Sequence, residues 1–346
     1  IITADEAIRG GKRIPLKANT DEALQRCPGV TTCVVVKRSG AAIKWHAGRD
    51  IWYHEAMAEV SEECPPEEMG AEDPLFILYT SGSTGKPKGT VHLHASPIQT
   101  AELFARHTLG LREDDVIFSA AKLFFAYGLG NAMTFPLWTG STAILDDRRP
   151  TPDLTFENIE TFKPTLYFGV PTLYAAQLAA LDALGDRGAP RKFPSLRACV
   201  SAGEALPADL FRRWKEKTGT VILDGIGSTE CLHIFIGNRL DDFRPGTSGK
   251  PVPGYEVKVV DDHNQPVPFR ESGWLRIRGV PGVSLFLEYL DNPENIPIGY
   301  WRSVGESYNT FAIESAIDEL WLAAKNAGVT IGGVPVANDP LNFRLS

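Results

Sequence analysis

Apolar and polar positions alternate in two regimes along the chain. Near the start, residues 31–36 are a β-branched run bounded by Gly29 and Gly40, which predicts a strand. From residue 75 onward, short apolar runs at 75–79, 116–119, 142–145, 165–168, 197–200 and 221–223 predict strands. Between them, Pro171 opens a helical pattern carrying Leu173, Tyr174, Leu178 and Leu181. Pro207 opens another carrying Leu210, Phe211 and Trp214. Strands alternating with helices imply a parallel sheet covered by helices on both faces. After residue 250 the pattern changes, and 255–260 and 274–277 alternate like strands of a small antiparallel unit. Residues 61–74 hold Glu62, Glu63, Pro65, Pro66, Glu67 and Glu68 and read as a solvated connector.

Composition narrows the function classes. The 346 residues carry 35 Lys plus Arg against 43 Asp plus Glu, a net charge of -8, which argues against nucleic-acid or anionic-membrane binding. No apolar run approaches the ~18 residues of a membrane helix. The longest, at 133–138 and 142–145, are interrupted by Pro136, Gly140 and Ser141. Five cysteines without a C-x-x-C pair argue against a disulfide framework or structural zinc and fit a reducing cytoplasmic compartment. Cys27 and Cys33 could pair on spacing alone. The chain starts at Ile1 without a signal peptide, inside what reads as a strand, and is expected to be a fragment of something longer.

The densest chemical signal is Tyr79-Thr80-Ser81-Gly82-Ser83-Thr84-Gly85-Lys86-Pro87-Lys88-Gly89. Glycines let backbone N–H groups turn toward an anion, hydroxyls add donors, and lysines add charge, which is what a polyphosphate requires. Pro87 follows Lys86 where a Walker loop has Ser or Thr. The bland alternative is a surface turn. Residues 128–133 lack the third glycine of a dinucleotide fingerprint, and no G-x-S-x-G supports a serine hydrolase. His92 and His94 stand i, i+2 with no third ligand apparent, so a metal site there is not expected.

That loop resembles the phosphate loop of the adenylate-forming (AMP-binding) superfamily of acyl-CoA synthetases, adenylation domains and luciferases. Four further pieces resemble the superfamily's motifs in order: 122–128, 201–207, Asp224-Gly225-Ile226-Gly227-Ser228-Thr229-Glu230, and 244–254. Ile226 stands where the superfamily usually has an aromatic residue. The resemblance implies an α/β fold: a layered parallel-sheet core like the acyl-CoA synthetase N-terminal domain, plus a small β unit. It implies that ATP is attacked by a carboxylic acid to give an acyl adenylate, with Mg²⁺ assisting and CoA as the thiol acceptor. Thr80, Lys86, Thr229 and Glu230 then take catalytic roles, with Glu230 as the metal ligand; a surface acid is the lesser alternative for it. Nucleotide contacts fall to Ser81, Gly82, Ser83, Thr84, Gly85, Lys88, Gly203, Glu204, Ala205, Asp224, Gly225, Ile226, Gly227 and Ser228.

Within the superfamily, residues 77–290 look most like benzoate- and 4-hydroxybenzoate-CoA ligases, which puts Ala126, Tyr127, Ala202, Gly203 and His233 around an aryl pocket. His233 is alternatively a satisfied structural histidine. Residues 1–80 resemble acetyl-CoA synthetases, which implies CoA contacts at Arg9 and Lys12; a solvated basic loop is the alternative. Acetate activation, or nucleotide binding without turnover, are the competing functions. After 292, Trp301-Arg302-Ser303-Val304-Gly305-Glu306 departs from the superfamily's W-x-x-T-G-D, and Lys325 is the only lysine that follows. The tail at 296–346 weakly resembles a molybdenum hydroxylase large subunit. The expected organisation is an acetyl-CoA-synthetase-like segment (1–74), an adenylate-forming core (75–240), a small β subdomain (241–292) and an unrelated tail (293–346). The C-terminal lid domain is expected to be absent and thioester formation impaired. Such a mosaic fits a natural fusion, an assembly join or an engineered chimera.

Overall fold

A computed structural model describes residues 1–9, 12–80, 87–183, 192–268 and 271–290, and the backbone of 330–331 and 334–335. Apart from those four positions, the tail read from sequence, with Trp301–Glu306 and Lys325, lies outside the described residues. Chain contacts divide it into two compact units, Ile1–Glu68 and Met69–Ser346.

In the first unit, β1 (Ile2–Ala4), β4 (Cys33–Val36) and β5 (Asp50–Trp52) form a parallel sheet with β4 central. Between β1 and β4 lie the hairpin β2 (Ala7–Arg9) and β3 (Lys12–Ile14), then α1 (Leu16–Leu24); α2 (Tyr53–Ala58) follows β5. The Asp5 carboxylate is buried and accepts the backbone N–H of Glu6, Arg38, Ser39, Gly40 and Ala41. Burial opposes its charge, but these donors outweigh it and hold its pKa down at about 2.

The second unit begins with the hairpin β6 (Pro74–Tyr79) and β7 (Gly89–Leu93) and then α3 (Ala95–Thr100). Next come β8 (Val116–Ser119), α4 (Ala126–Leu129), α5 (Phe135–Thr139), β9 (Thr142–Ile144), α6 (Pro152–Phe162), β10 (Leu166–Gly169) and α7 (Pro171–Ala183). β11 (Ala198–Ser201), α8 (Ala208–Thr218), β12 (Ile222–Gly227), β13 (Ile234–Gly237) and β14 (Lys250–Pro251) complete the main sheet. Its order is β14-β13-β12-β11-β10-β8-β9, with the last five strands parallel and β13 and β14 antiparallel. β15 (Glu256–Val260) and β16 (Trp274–Arg278) form the antiparallel pair expected after residue 250. β17 (Glu288–Tyr289) returns to pair with β7, and β18 (Thr330–Ile331) pairs with β19 (Val334–Pro335).

The strands alternate between two cores. Ile117, Leu166, Phe168, Ala198 and Val200 face one apolar cluster, and Phe118, Tyr167 and Cys199 face the other, where Trp214 of α8 is fully buried. Local chemistry sets the helix ends. Thr151 Oγ1 accepts the Leu154 N–H ahead of Pro152 at the start of α6, and Gly219 closes α8 in the left-handed region.

One expectation is corrected. The run at 75–79 reads as a strand buried in the parallel sheet, but β6 is an edge strand of a separate antiparallel sheet. Leu75, Ile77 and Tyr79 are exposed along one of its faces. All five residues are apolar, so the period that would mark an exposed face is not visible. The cysteines are free, Cys27 exposed and Cys33 buried, so the Cys27–Cys33 pairing is not made. No helix among the described residues is long and apolar enough to cross a membrane.

The parallel strands are pinned at their starts by Asp115. Its carboxylate has no exposed surface, takes two guanidinium bonds from Arg197 (3.0 and 2.9 Å) and accepts the Thr165 hydroxyl at 2.6 Å. Burial raises its pKa, but Arg197 and Thr165 reverse the sign and leave it lowered. Its stabilising effect is therefore present above the unfolded carboxylate pKa and lost as pH falls through the folded value. Replacing it by Asn is expected to cost about 2–4 kcal/mol at pH 7, less at acidic pH, by denaturant titration. A loss under about 0.5 kcal/mol, the range of ordinary surface substitutions, would show that the pins do not matter.

Candidate functional site

The carboxyl ends of parallel strands are where open α/β sheets collect ligands, and three of the sequence motifs sit there. The segment 120–125 leaves β8 for α4, 202–207 leaves β11 for α8, and β12 runs into a tight turn before β13. That turn is closed by Ser228 N–H to His233 C=O (3.3 Å), Cys231 N–H to Ser228 Oγ (3.2 Å) and Leu232 N–H to Thr229 C=O (3.1 Å). Leu232 is buried at φ 61, a backbone region that costs a bulky residue roughly 1–2 kcal/mol.

The β6–β7 hairpin carries the phosphate loop. Thr80 N–H donates to Lys88 C=O at 2.9 Å, and Lys88 N–H donates to Thr80 Oγ1 at 3.0 Å, closing the loop at its base. Ser81, Gly82, Ser83, Thr84, Gly85 and Lys86 lie outside the described residues. The same small sheet grips the Thr229–Glu230 turn. His92 Nε2 lies 2.9 Å from Thr229 C=O, so this nitrogen carries the proton and donates it. Phe286 N–H donates to Glu230 C=O at 2.7 Å, and Tyr289 Oη–H donates to Glu230 Oε1 at 2.7 Å. The sheet thus brings together Thr80, Lys88, Thr229 and Glu230.

Glu230 is half-buried, and among the described residues only Tyr289 hydrogen-bonds its carboxylate. Mg²⁺ favours oxygen ligands and is commonly held by one or two carboxylates together with substrate phosphates. A single carboxylate with one uncommitted oxygen, on the sheet that carries the phosphate loop, fits that chemistry. Among the described residues no cluster of three or more acidic, His or Cys side chains offers an all-protein cage.

Across the main sheet, His233 is enclosed by aromatic rings. Phe135 is 4.5 Å away by centroid, Phe104 4.9 Å and Tyr127 5.5 Å. Its Nε2 donates to Asn131 Oδ1 at 3.0 Å, and its Nδ1 is buried without a partner. Burial lowers its pKa to about 3, so the ring is neutral. Two π-helical turns, Ala101–Arg106 and Gly130–Thr134, supply Phe104 and Asn131. A Cβ on Gly130 would lie 2.5 Å from His233 Cδ2, so only glycine leaves room for the ring. Tyr127 Oη–H is within reach of the Gly169 and Val200 carbonyls, at 3.3 and 3.2 Å. Ala126 is half-buried beside it, and Ala202 is buried in the adjoining core.

In the segment after β11, Gly203 has φ 93 and is exposed with Glu204, while Ala205 packs on the core. Asp224 is buried. Desolvation raises its pKa to about 8, opposed in part by the nearby Ser201 and Ser248 hydroxyls and the Leu206 and Gly225 N–H groups. Its Oδ1 has no partner of normal hydrogen-bond geometry. Gly225 and Gly227 pair with β13, and the Ile226 side chain belongs to the core. In the first unit, Arg9 and Lys12 are direct cross-strand partners, and Lys12 is exposed.

Sequence reading missed His92 as a support for Thr229, and missed Tyr289, Phe286 and Asn131 altogether. Only the position of His92 just after the phosphate loop offered a signal. Burial lowers the His92 pKa to about 4. With His92 and His233 both depressed, the unfolded chain binds two more protons at these rings than the folded one, from just above pH 4 up to the ordinary 6.5. Each histidine is expected to lower stability by about 1.4 kcal/mol per pH unit below pH 6.5, while Asp224, whose raised pKa lets the folded state hold an extra proton up to about pH 8, offsets one of the two. Urea titrations at pH 7, 6 and 5 compare wild type with His233→Gln. The variant's slope should differ from wild type by the contribution of one histidine, and an unchanged slope would place the ring in solvent.

Comparison with known proteins follows this geometry. A family model described as AMP-binding enzyme matches residues 1–290. The chain is 49% identical over 255 residues to a benzoate–CoA ligase of Thauera aromatica, covering 73% of this chain and 47% of that protein. It is 37% identical over 270 residues to an acetyl-coenzyme A synthetase of Halorhodospira halophila, covering 76% of this chain and 41% of that one. The crystal structure of an anthranilate CoA ligase in complex with anthranoyl-AMP superposes with a TM-score of 0.69 at 36% identity, over 83% of this chain and 54% of the other. The chain therefore spans about half the length of the relatives it matches. With a family match over 290 of 346 residues, this chain belongs to the AMP-binding enzyme family.

Proposed function

We propose that this chain activates an aromatic carboxylic acid of the benzoate type with ATP, forming an aryl adenylate that is passed to CoA. The observation that carries the reading is the neutral His233 ring, set among Phe104, Tyr127 and Phe135 beside the carboxyl ends of the strands. A flat apolar substrate suits a pocket of aromatic walls and small residues such as Ala126 and Gly203. The higher identity to the benzoate–CoA ligase than to the acetyl-coenzyme A synthetase points the same way.

In this reading a carboxylate oxygen bonds to the α-phosphorus of ATP, and the bond to the bridging oxygen breaks. Pyrophosphate leaves with the electron pair. Thr80, Ser81, Gly82, Ser83, Thr84, Gly85, Lys86 and Lys88 cradle the phosphates, and Thr229 donates to them. Glu230 holds Mg²⁺, which when bound would neutralise charge on the phosphate oxygens and the departing pyrophosphate. The nucleoside lies against Gly203–Ala205 and Asp224–Ser228. The thiol of CoA then attacks the acyl carbon and AMP leaves. Arg9 and Lys12 offer positive charge to a CoA phosphate.

Pyrophosphate exchange into ATP, driven by benzoate or by acetate, tests the proposal. Benzoate is expected to support exchange at least about tenfold better, the scale on which a pocket discriminates by size. Glu230→Gln is expected to lower the rate by about 10²-fold or more. A preference for acetate would overturn the aryl assignment and leave short-chain acid activation in its place.

A further inference from the structure

Glu230 is held by one short segment of chain at both its backbone and its side chain. Phe286 N–H bonds the Glu230 carbonyl, and three residues later the Tyr289 hydroxyl bonds Oε1, each at 2.7 Å. Tyr289 is 7% exposed and is fixed by pairing with Thr90 on β7 and by the Phe286 ring at 4.7 Å. Lys88 Nζ lies over its ring, 4.9 Å from the centroid.

From this arrangement we infer that Tyr289 is a positioning residue for the metal-binding carboxylate of Glu230, coupled to the phosphate loop through Lys88. The inference rests on the adenylation reading above. A carboxylate that must bind a cation needs a fixed direction and its full charge. A lysine or arginine partner would fix it but neutralise it. A phenol fixes it and leaves the charge in place, because a neutral donor occupies one oxygen and leaves the other for the cation. A phenol is neutral near pH 7, so its hydroxyl has a proton to donate to the carboxylate. The ammonium of Lys88 on the ring face draws electron density from the phenol and strengthens its donation. Lys88 immediately precedes β7 and its N–H closes the phosphate loop on Thr80, so the nucleotide cradle and the metal carboxylate are joined through one aromatic ring.

The test is the affinity for Mn²⁺·ATP, read by electron paramagnetic resonance of bound Mn²⁺, alongside calorimetry with ATP in the absence of metal. Wild type, Tyr289→Phe, Glu230→Gln and the double variant are compared. Tyr289→Phe keeps the ring and removes only the donor. It is expected to weaken Mn²⁺·ATP by about tenfold, the scale of a hydrogen bond to a charged group, and to leave metal-free ATP affinity within about twofold. In the Glu230→Gln background the same change should have less than about a twofold effect. A purely structural role for Tyr289 would weaken both affinities together. That result, an unchanged Mn²⁺·ATP affinity, or an equal effect in both backgrounds would overturn the inference. Should the Phe variant fail to fold, 3-fluorotyrosine at 289 replaces it. A more acidic phenol of nearly the same size should tighten Mn²⁺·ATP, and no change would overturn the inference. Wild type failing to bind ATP with or without metal would sink the adenylation reading and this inference with it, an outcome distinct from the others because the wild-type arm alone reports it.

Discussion

The carbonyl groups of Thr229 and Glu230 stand in a turn with no helix or ladder of its own to satisfy them, and the site depends on where their partners come from. Buried carbonyls need donors. Here the donors beyond the turn itself are His92 Nε2–H, on β7 of the small sheet that also carries the phosphate loop, and Phe286 N–H, just ahead of β17 of the same sheet. The candidate metal carboxylate is therefore tied to the nucleotide cradle and not only to the strand that leads into it. The strained backbone of Leu232 shows the same constraint from the other side, since it persists only where surrounding bonds hold it.

The large parallel sheet has a different task. Its strands begin at the Asp115–Arg197 pair and end at segments 120–125, 202–207 and the turn after β12, so its register sets which turns meet. On one face, the π-helical turns bring Phe104 and Asn131 against His233, and the unbranched Gly130 lets the ring approach. The imidazole, oriented by Asn131 and buried among these rings, is neutral. Asp224 is likewise buried, and desolvation raises its pKa to about 8.

Much of this was legible from residues. The strand–helix alternation after residue 116 follows from hydrophobic period and from Pro171 and Pro207 at helix starts, and the loop chemistry at 79–89 is visible residue by residue. The uniformly apolar run 75–79 hid an edge strand, because period cannot be read where no polar residue marks the exposed face. π-helical turns leave no local signature, so Asn131 could not be placed under His233. The His92–Thr229 contact spans 137 residues and the Tyr289–Glu230 contact 59. Pairings at that range are written in the tertiary fold, not in spacing. His92, which stands beside His94 with no third ligand apparent in the sequence, supports the Thr229 carbonyl through Nε2.

The central claim is that the β6–β7–β17 sheet and the turn from Ser228 to His233 are one cooperative unit. Amide hydrogen exchange in a His92→Leu variant measures this most directly, resolved at Lys88, Leu232 and Phe286. The account predicts that protection falls at all three by a similar free energy, about 0.5–1.5 kcal/mol for the loss of one hydrogen bond. Loss confined to the strand bearing residue 92, with Leu232 and Phe286 exchanging as in wild type, would contradict it.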